Sequence, residues 1–140
     1  MDALAKLEAV EVNVWVASAS PSGAVHLVPV THTWNGSQIV LATGPRSRTV
    51  ANVTGNPRVR LALGETRDVV AIDAALIEAV RSSTVTPLMA EAYAAQAGWD
   101  PRTAGDDYVY LVFGPERIQV WSEGEDPVGR TVMRSGSWVI

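Results

Sequence analysis

Two arginines flank a serine where an apolar segment ends and a short helix is predicted to begin, in the stretch "TGPRSRTVANVTGNP" that starts at Thr43. The first N–H groups of a helix lack intrahelical partners and lie at the positive end of its dipole, so they bind phosphate readily. Arginine adds several N–H donors in one plane. Without an anion, cations at this end oppose the dipole. Arg46, Ser47 and Arg48 therefore predict a phosphate site or, in the alternative, two solvated surface charges.

The two histidines are the other side chains that could do chemistry. On a strand, His26 and His32 face the same side but lie about 20 Å apart, too far to share a metal ion. Either one could serve alone as an axial haem ligand or a proton donor, or be an ordinary residue packed in the core or at its rim. The sequence has no cysteine, which excludes disulfides and thiolate chemistry. Asp106, Asp107 and Asp126 are predicted to be solvated loop charges.

The composition is that of one folded domain. The chain has 140 residues, of which 47% are hydrophobic and 19% charged, enough to bury a core. A net charge of −4 and a pI of about 5.1 argue against sequence-independent binding to nucleic acid. The sequence lacks the run of about 18 apolar residues that a membrane span needs, and its start lacks the pattern of a signal peptide. We therefore expect a cytoplasmic protein with neither membrane nor nucleic acid as a partner.

Segments rich in β-branched and aromatic residues, separated by turn signals, predict a series of strands. Val12–Ala19 and Ala24–Thr33 are joined by the turn "SPSG", and the Asn-Gly pair at Asn35 leads into Gln38–Thr43 through a tight hairpin. Later strands are predicted at Arg58–Leu63, Asp68–Val80, Tyr108–Phe113 and Arg117–Trp121. The last two form one kinked strand, and the end of the segment that starts at Asp68 could be helical instead.

Two helices are predicted between these strands. Pro45 suits the first position of a short helix, and Gly55 suits the residue that follows it. A second helix is capped by Thr86 and continues to about Gly98. The pattern predicts an antiparallel barrel of about six strands with two or three helices, in a single domain over residues 1–140.

The order of these segments resembles one known family. The strand "HLVPV", the Asn-Gly turn, the strand "IVLAT" and the elements "RSRT" and "NPRVRLAL" follow one another as they do in the pyridoxamine 5′-phosphate oxidase-like family of flavin and deazaflavin oxidoreductases. The resemblance extends roughly from Val12 to Arg130. It implies a mainly β fold, a six-stranded antiparallel split β-barrel with two or three short helices.

The resemblance also implies a cofactor site in three parts. Thr43 and the segment through Thr49 would lie against the phosphate of flavin mononucleotide (FMN), with Thr49 standing where the family often has lysine. The flavin ring would lie along the second strand, while Trp121 and Arg130 would reach the cofactor of the partner subunit. The implied cofactor-binding residues are Val28, Pro29, Val30, Thr43, Arg46, Ser47, Arg48, Thr49, Trp121 and Arg130.

The function implied is that of a homodimeric oxidoreductase. It would transfer hydride or electrons between FMN, or alternatively coenzyme F-420, and a small organic substrate. Because the cofactor carries such chemistry, no catalytic side chain is identified. The alternatives are a non-catalytic module on the same fold that binds haem or a flavin, for storage or sensing, and a cofactor-free dimer that acts as a scaffold. Trp121 and the apolar tail at residues 129–140 predict an apolar dimer interface.

Five tryptophans in a chain of this length suggest core filling and interface contacts. For Trp15 and Trp99 we predict this role, core filling or an interface contact. Trp34 and Trp121 either border a binding pocket or pack in the same way.

Overall fold

The structure is a computed structural model that describes residues 2–124 and 130–139. Asp126 and parts of the predicted interface tail, Gly129 and Ile140, lie outside the described residues. Within them the elements are α1 (Asp2–Glu8), β1 (Asn13–Ala19), β2 (Val25–Trp34), β3 (Ile39–Thr43), α2 (Arg48–Gly55), β4 (Arg58–Glu65), β5 (Asp68–Arg81), α3 (Pro87–Ala97), a 3-10 helix (Pro101–Thr103), β6 (Val109–Ser122), β7 (Thr131–Arg134) and β8 (Ser137–Trp138).

Six of these strands form a closed antiparallel barrel. Neighbouring strands follow the order β3-β2-β1-β4-β5-β6, and β6 pairs again with β3 to close the ring. The long strands β5 and β6 pair with register shifts after Asp73 and Leu76, and such irregularities bend a strand around a barrel. β7 and β8 extend the sheet beyond β6. The predicted fold, mainly β with helices around a six-stranded antiparallel barrel, is confirmed.

Alternate residues of each strand fill the barrel. In β1, Val14 and Val16 are fully buried, whereas Trp15 between them is 49% exposed, because successive side chains of a strand point to opposite faces. Trp15 therefore does not fill the core, and of its two predicted roles its exposure allows only an interface contact. Leu7 of α1 is fully buried in the same core. A second apolar cluster lies outside the barrel, where Tyr93 of α3 packs against β3 and β6.

α2 starts later than predicted. Its N-cap is Ser47, whose hydroxyl accepts a hydrogen bond from Val50 N–H at 3.2 Å, so Pro45 precedes the helix instead of opening it. Gly55 is the last helical residue, and Asn56 is the C-cap. Ser47 determines the boundary because its hydroxyl accepts a hydrogen bond from an N–H group that would otherwise lack a partner. Pro45 has no side-chain acceptor for such a group.

The other helices and the long strands differ less from expectation. α3 is capped by Thr86 and ends at Gly98, whose φ of 86° lies in the left-handed region. β5 stays extended to Arg81 and β6 is one continuous strand, so the helical alternative for the end of β5 is wrong. The sequence patterns do not predict α1, β7 or β8. Among the described residues, no helix is both long and apolar enough to cross a membrane.

Candidate functional site

The strand β2 has one edge that is only partly paired. β1 pairs with β2 from Val25 to Thr31, whereas β3 pairs with it only from His32 to Trp34. In the part of the chain that the structure describes, no strand pairs with the other side of residues Val25–Thr31. We call this side the open edge of β2. An unpaired edge presents backbone N–H and C=O groups to whatever binds there.

The ladder with β1 determines which backbone groups the open edge presents. The hydrogen bond from Ser20 N–H to Ala24 C=O at 2.9 Å fixes the even-numbered residues of β2 as those bonded to β1. Val28 and Val30 therefore use their backbone groups inside the sheet, and both side chains are half-buried. Pro29 is exposed and contributes only a C=O group. The residues whose backbone groups form the open edge are Val25, Leu27 and Pro29, since the C=O of Thr31 accepts a hydrogen bond from the Tyr93 hydroxyl at 2.9 Å.

The N-terminus of α2 supplies a second set of donors. The first intrahelical hydrogen bond runs from Ala51 N–H to Ser47 C=O at 3.2 Å, so the N–H groups of Arg48 and Thr49 have no intrahelical acceptors. The Thr49 side chain is buried and the Arg48 side chain is exposed. Two backbone donors and one guanidinium are thus available at this helix start.

Arg46 and Thr43 precede the helix and differ in their surroundings. Thr43 is half-buried at the end of β3, opposite Val109. The Arg46 side chain is 83% exposed, and its Nη2 lies 3.2 Å from Asp106 Oδ2. Because that carboxylate offsets part of the Arg46 charge, and because the described residues contain no ion pair of Arg48, Arg48 is the stronger candidate for binding an anion.

A pocket of about 450 Å³ lies between the turn that joins β1 to β2 and the helix α2. It brings Arg48 close to His26 and to Val25, the start of the open edge. The buried side-chain amide of Asn52 donates to Ser18 Oγ at 3.1 Å and ties α2 to β1. A guanidinium, an imidazole and hydroxyls in one concave site favour an anionic ligand. The lining residues are Ser20, Ser22, Ala24, Val25, His26, Arg48 and Asn52.

Trp121 and Arg130 lie close together but away from the rest of the site. The guanidinium carbon of Arg130 is 3.3 Å from the centre of the Trp121 ring, a cation–π contact. Phe113 is the last residue of β6 that pairs with β3, and Trp121 lies about 26 Å further along the strand at the usual rise. Within one chain, this pair does not border the open edge of β2.

His32 is part of the barrel rather than of a site. It is 1% exposed, and its Nε2 lies 2.8 Å from the Leu7 carbonyl oxygen, with Nδ1 3.4 Å from that of Val12. Burial lowers the pKa of His32, and the two backbone carbonyls partly oppose that shift. His32 is therefore the packed histidine of the two alternatives, and His26, half-buried in the pocket, is the one left to contact a ligand.

The comparison with protein families decides the family. Residues 2–122 match the family model described as pyridoxamine 5′-phosphate oxidase. The chain belongs to this family. A search of curated proteins found no significant match.

Solved structures share the fold of this pyridoxamine 5′-phosphate oxidase family member at low sequence identity. An F-420 reductase is 15% identical over 81% of this chain and 93% of its own, with a TM-score of 0.68. A heme binding protein from Mycobacterium smegmatis is 18% identical over 94% of this chain and 56% of its own, with a TM-score of 0.67. A pyridoxamine 5′-phosphate oxidase-related, FMN binding protein from Nostoc punctiforme PCC 73102 is 12% identical over 90% and 84%, with a TM-score of 0.61.

Two serines that the structure puts next to the predicted phosphate site were not singled out by the sequence, whereas His26 was, though without a place in this site. Ser20 and Ser22 come from the turn "SPSG", which the sequence marks only as a turn. His26 reaches the pocket because β2 runs past the start of α2. The open edge likewise depends on where β3 stops pairing, which no single segment of this family member encodes.

The buried state of His32 predicts a loss of stability in mild acid. Its pKa is lowered in the folded state, so the unfolded chain binds the proton more readily as the pH falls below about 6.5. Stability is then fully present above that pH and declines below it, by at most about 1.4 kcal/mol per pH unit. Urea unfolding of the wild type and of His32→Gln between pH 7.5 and 5.0 measures this loss of stability. The difference in the free energy of unfolding between the two proteins should shrink as the pH falls. A difference that stays constant would contradict the conclusion that the fold buries His32 in its neutral form.

Proposed function

We propose that the chain is an oxidoreductase that binds a flavin-type cofactor, FMN or coenzyme F-420, and transfers hydride or electrons between it and a small organic substrate. The observation that carries the proposal is that the open edge of β2 begins in the same pocket that holds Arg48 and the start of α2. A flat ring with a phosphate-bearing tail needs both features. Membership of the family and the F-420 reductase and FMN binding protein among the structural neighbours support it.

The tail phosphate would be held at the start of α2. The N–H groups of Arg48 and Thr49 would donate to its oxygens, and the Arg48 guanidinium would add a charge-assisted contact. Ser47 keeps these N–H groups in position through its cap on Val50 N–H. Thr43 and Arg46 would border the same phosphate. Thr49 supplies no cation where the family often has lysine. Arg48 would therefore contribute a larger share of the free energy of phosphate binding.

The ring would lie against the open edge of β2, along Val28–Val30. Leu27 can offer both N–H and C=O to the ring, whereas Pro29 can only accept. When bound, the cofactor supplies the hydride or electron chemistry. The chain's own residues orient the ring and exclude water, since the backbone of β2 is fixed by its ladder with β1. No described side chain is assigned a catalytic role.

We further propose that the protein is a homodimer. Side chains of β1 and β2 that point away from the barrel form an exposed apolar surface, the outer face, made up of Trp15, Ala17, Val25, Leu27 and Pro29. Trp15 is 49% exposed, Leu27 60% and Val25 86%, and apolar patches of this kind mark contact sites. A second copy covering the outer face would also allow Trp121 and Arg130 to approach the cofactor of its partner, which neither can do within one chain.

Titration of the purified protein with FMN, F-420 and haem tests the cofactor. We expect saturable binding of FMN or F-420, seen as a change in flavin or deazaflavin fluorescence, and no shift or sharpening of the haem Soret band when haem is added. A shifted, sharpened Soret band with no flavin binding would favour the non-catalytic haem-binding alternative, which the half-buried His26 in the pocket and the heme binding neighbour support. In that case His26→Ala would return the band to that of free haem.

A further inference from the structure

The hydrogen-bond ladder between β2 and β3 stops one hydrogen-bonded pair short. It begins where Asn35 N–H donates to Gln38 C=O at 3.1 Å, and ladder bonds of an antiparallel pair recur at every second residue. In the register of the two strands, the second hydrogen-bonded pair after this one would place Ala42 N–H opposite Thr31 C=O. Among the described residues the pairing ends before that point.

The hydroxyl of Tyr93, on α3, takes the place of one bond of this missing pair. Ala42 N–H donates to Tyr93 Oη at 3.2 Å, and the Tyr93 O–H donates to Thr31 C=O at 2.9 Å. Two hydrogen bonds in series therefore replace one direct bond of about 2.9 Å. Ala42 N–H and Thr31 C=O both have partners, but the two strands are held further apart here than in a continuous ladder.

The hydroxyl is fixed by a complete network. Trp99 Nε1 donates to Thr31 Oγ1 at 2.7 Å, which leaves the threonine hydroxyl proton free to bond Tyr93 Oη at 3.1 Å. Tyr93 is fully buried, and burial raises its pKa, so the hydroxyl keeps its proton at neutral pH. Buried networks in which each member is satisfied are rigid.

We infer that Tyr93 is a positioning residue whose hydroxyl holds β2 and β3 apart. This separation of the two strands keeps the open edge of β2 free for the cofactor. The identity of the ligand rests on the proposed function. The separation of the strands is a property of the chain alone, so it can be tested without a ligand.

The first test is the NMR spectrum of the ligand-free protein. If Tyr93→Phe lets the ladder continue, Val30 and Thr43 become a non-hydrogen-bonded pair, in which the Cα atoms lie about 4.5 Å apart and the Hα protons are close. We expect an Hα–Hα contact between Val30 and Thr43 in Tyr93→Phe and none in the wild type. A contact already present in the wild type would overturn the inference, even if the variant failed to fold.

The second test is the affinity for FMN. Closing the strands by one pair should raise the dissociation constant of Tyr93→Phe about tenfold or more, which corresponds to about 1.4 kcal/mol. A merely structural role for Tyr93 would lower the melting temperature and leave the affinity of the folded protein unchanged.

Tyr110→Phe is the matched control. Tyr110 is fully buried in the same cluster, with its ring centre 5.5 Å from that of Tyr93, and its hydroxyl has no hydrogen-bond partner among the described residues. We expect Tyr110→Phe to change neither the Val30–Thr43 contact nor FMN affinity. Wild-type affinity in Tyr93→Phe, or equal losses in both variants, would overturn the inference. Failure of the wild type to bind FMN would count against the proposed function, while the NMR comparison would still show whether the Tyr93 hydroxyl separates β2 from β3.

Discussion

Leu27→Glu is expected to turn the proposed dimer into a monomer. Leu27 is 60% exposed at the centre of the outer face, between Val25 and Pro29 of the same strand. In a two-fold symmetric dimer each substitution occurs twice, and each buried carboxylate without a partner costs about 2–3 kcal/mol or more. Together they raise the dissociation constant of the dimer by about a thousandfold or more. Sedimentation or light scattering at micromolar concentration measures the result.

Leu88→Glu is the matched control for this prediction. Leu88 is also an exposed leucine, at 81%, but it lies on α3 and not on the outer face. It should leave the dimer intact, and FMN binding should weaken only in Leu27→Glu. A wild-type monomer that binds cofactor at micromolar concentration would contradict the proposed assembly, and so would a dimer that tolerates Leu27→Glu.

The barrel could be predicted from the sequence because its strands are encoded locally. Alternating β-branched residues and the Asn-Gly turn define the first hairpins without reference to the rest of the chain. α1 could not be predicted in this way, because a helix of 7 residues has little stability of its own. Its stability comes from the burial of Ala3 and Leu7 in the barrel, which depends on the complete fold.

Some parts of the candidate site could likewise be predicted from local sequence, and others depend on the complete fold. The position of α2 could be predicted approximately, because a proline, two arginines and a helical pattern lie within a few consecutive residues, although the cap at Ser47 makes it start later than predicted. The exposure of Trp15 and the open edge of β2 could not, since both depend on which strands become neighbours. Tyr93 is the clearest example: it reads as part of the apolar stripe of α3, and only the register of β2 and β3 reveals that its hydroxyl replaces a backbone hydrogen bond.

Arg48→Ala is expected to weaken FMN binding about ten- to a hundredfold. A charge-assisted, bidentate contact to phosphate typically contributes about 1.5–3 kcal/mol, which converts to that range. Arg46→Ala should cost less, because Asp106 lies 3.2 Å away and already offsets part of its charge. Fluorescence titration of the three proteins with FMN measures both losses. Arg67→Ala serves as the control, since Arg67 is 81% exposed and pairs with Glu123 at the far end of the β4–β5 hairpin.

Riboflavin, which has the ring but no phosphate, isolates the contact that Arg48 makes. It should bind more weakly than FMN and be nearly indifferent to Arg48→Ala, so the two losses are not additive and close a double-mutant cycle on one interaction. Stability of the empty protein should hardly fall, and it should rise slightly if anything, because a cation at a helix start opposes the dipole when no anion is bound. Equal weakening of both ligands, or intact FMN affinity in Arg48→Ala, would show that Arg48 is an ordinary surface charge and that the phosphate binds elsewhere.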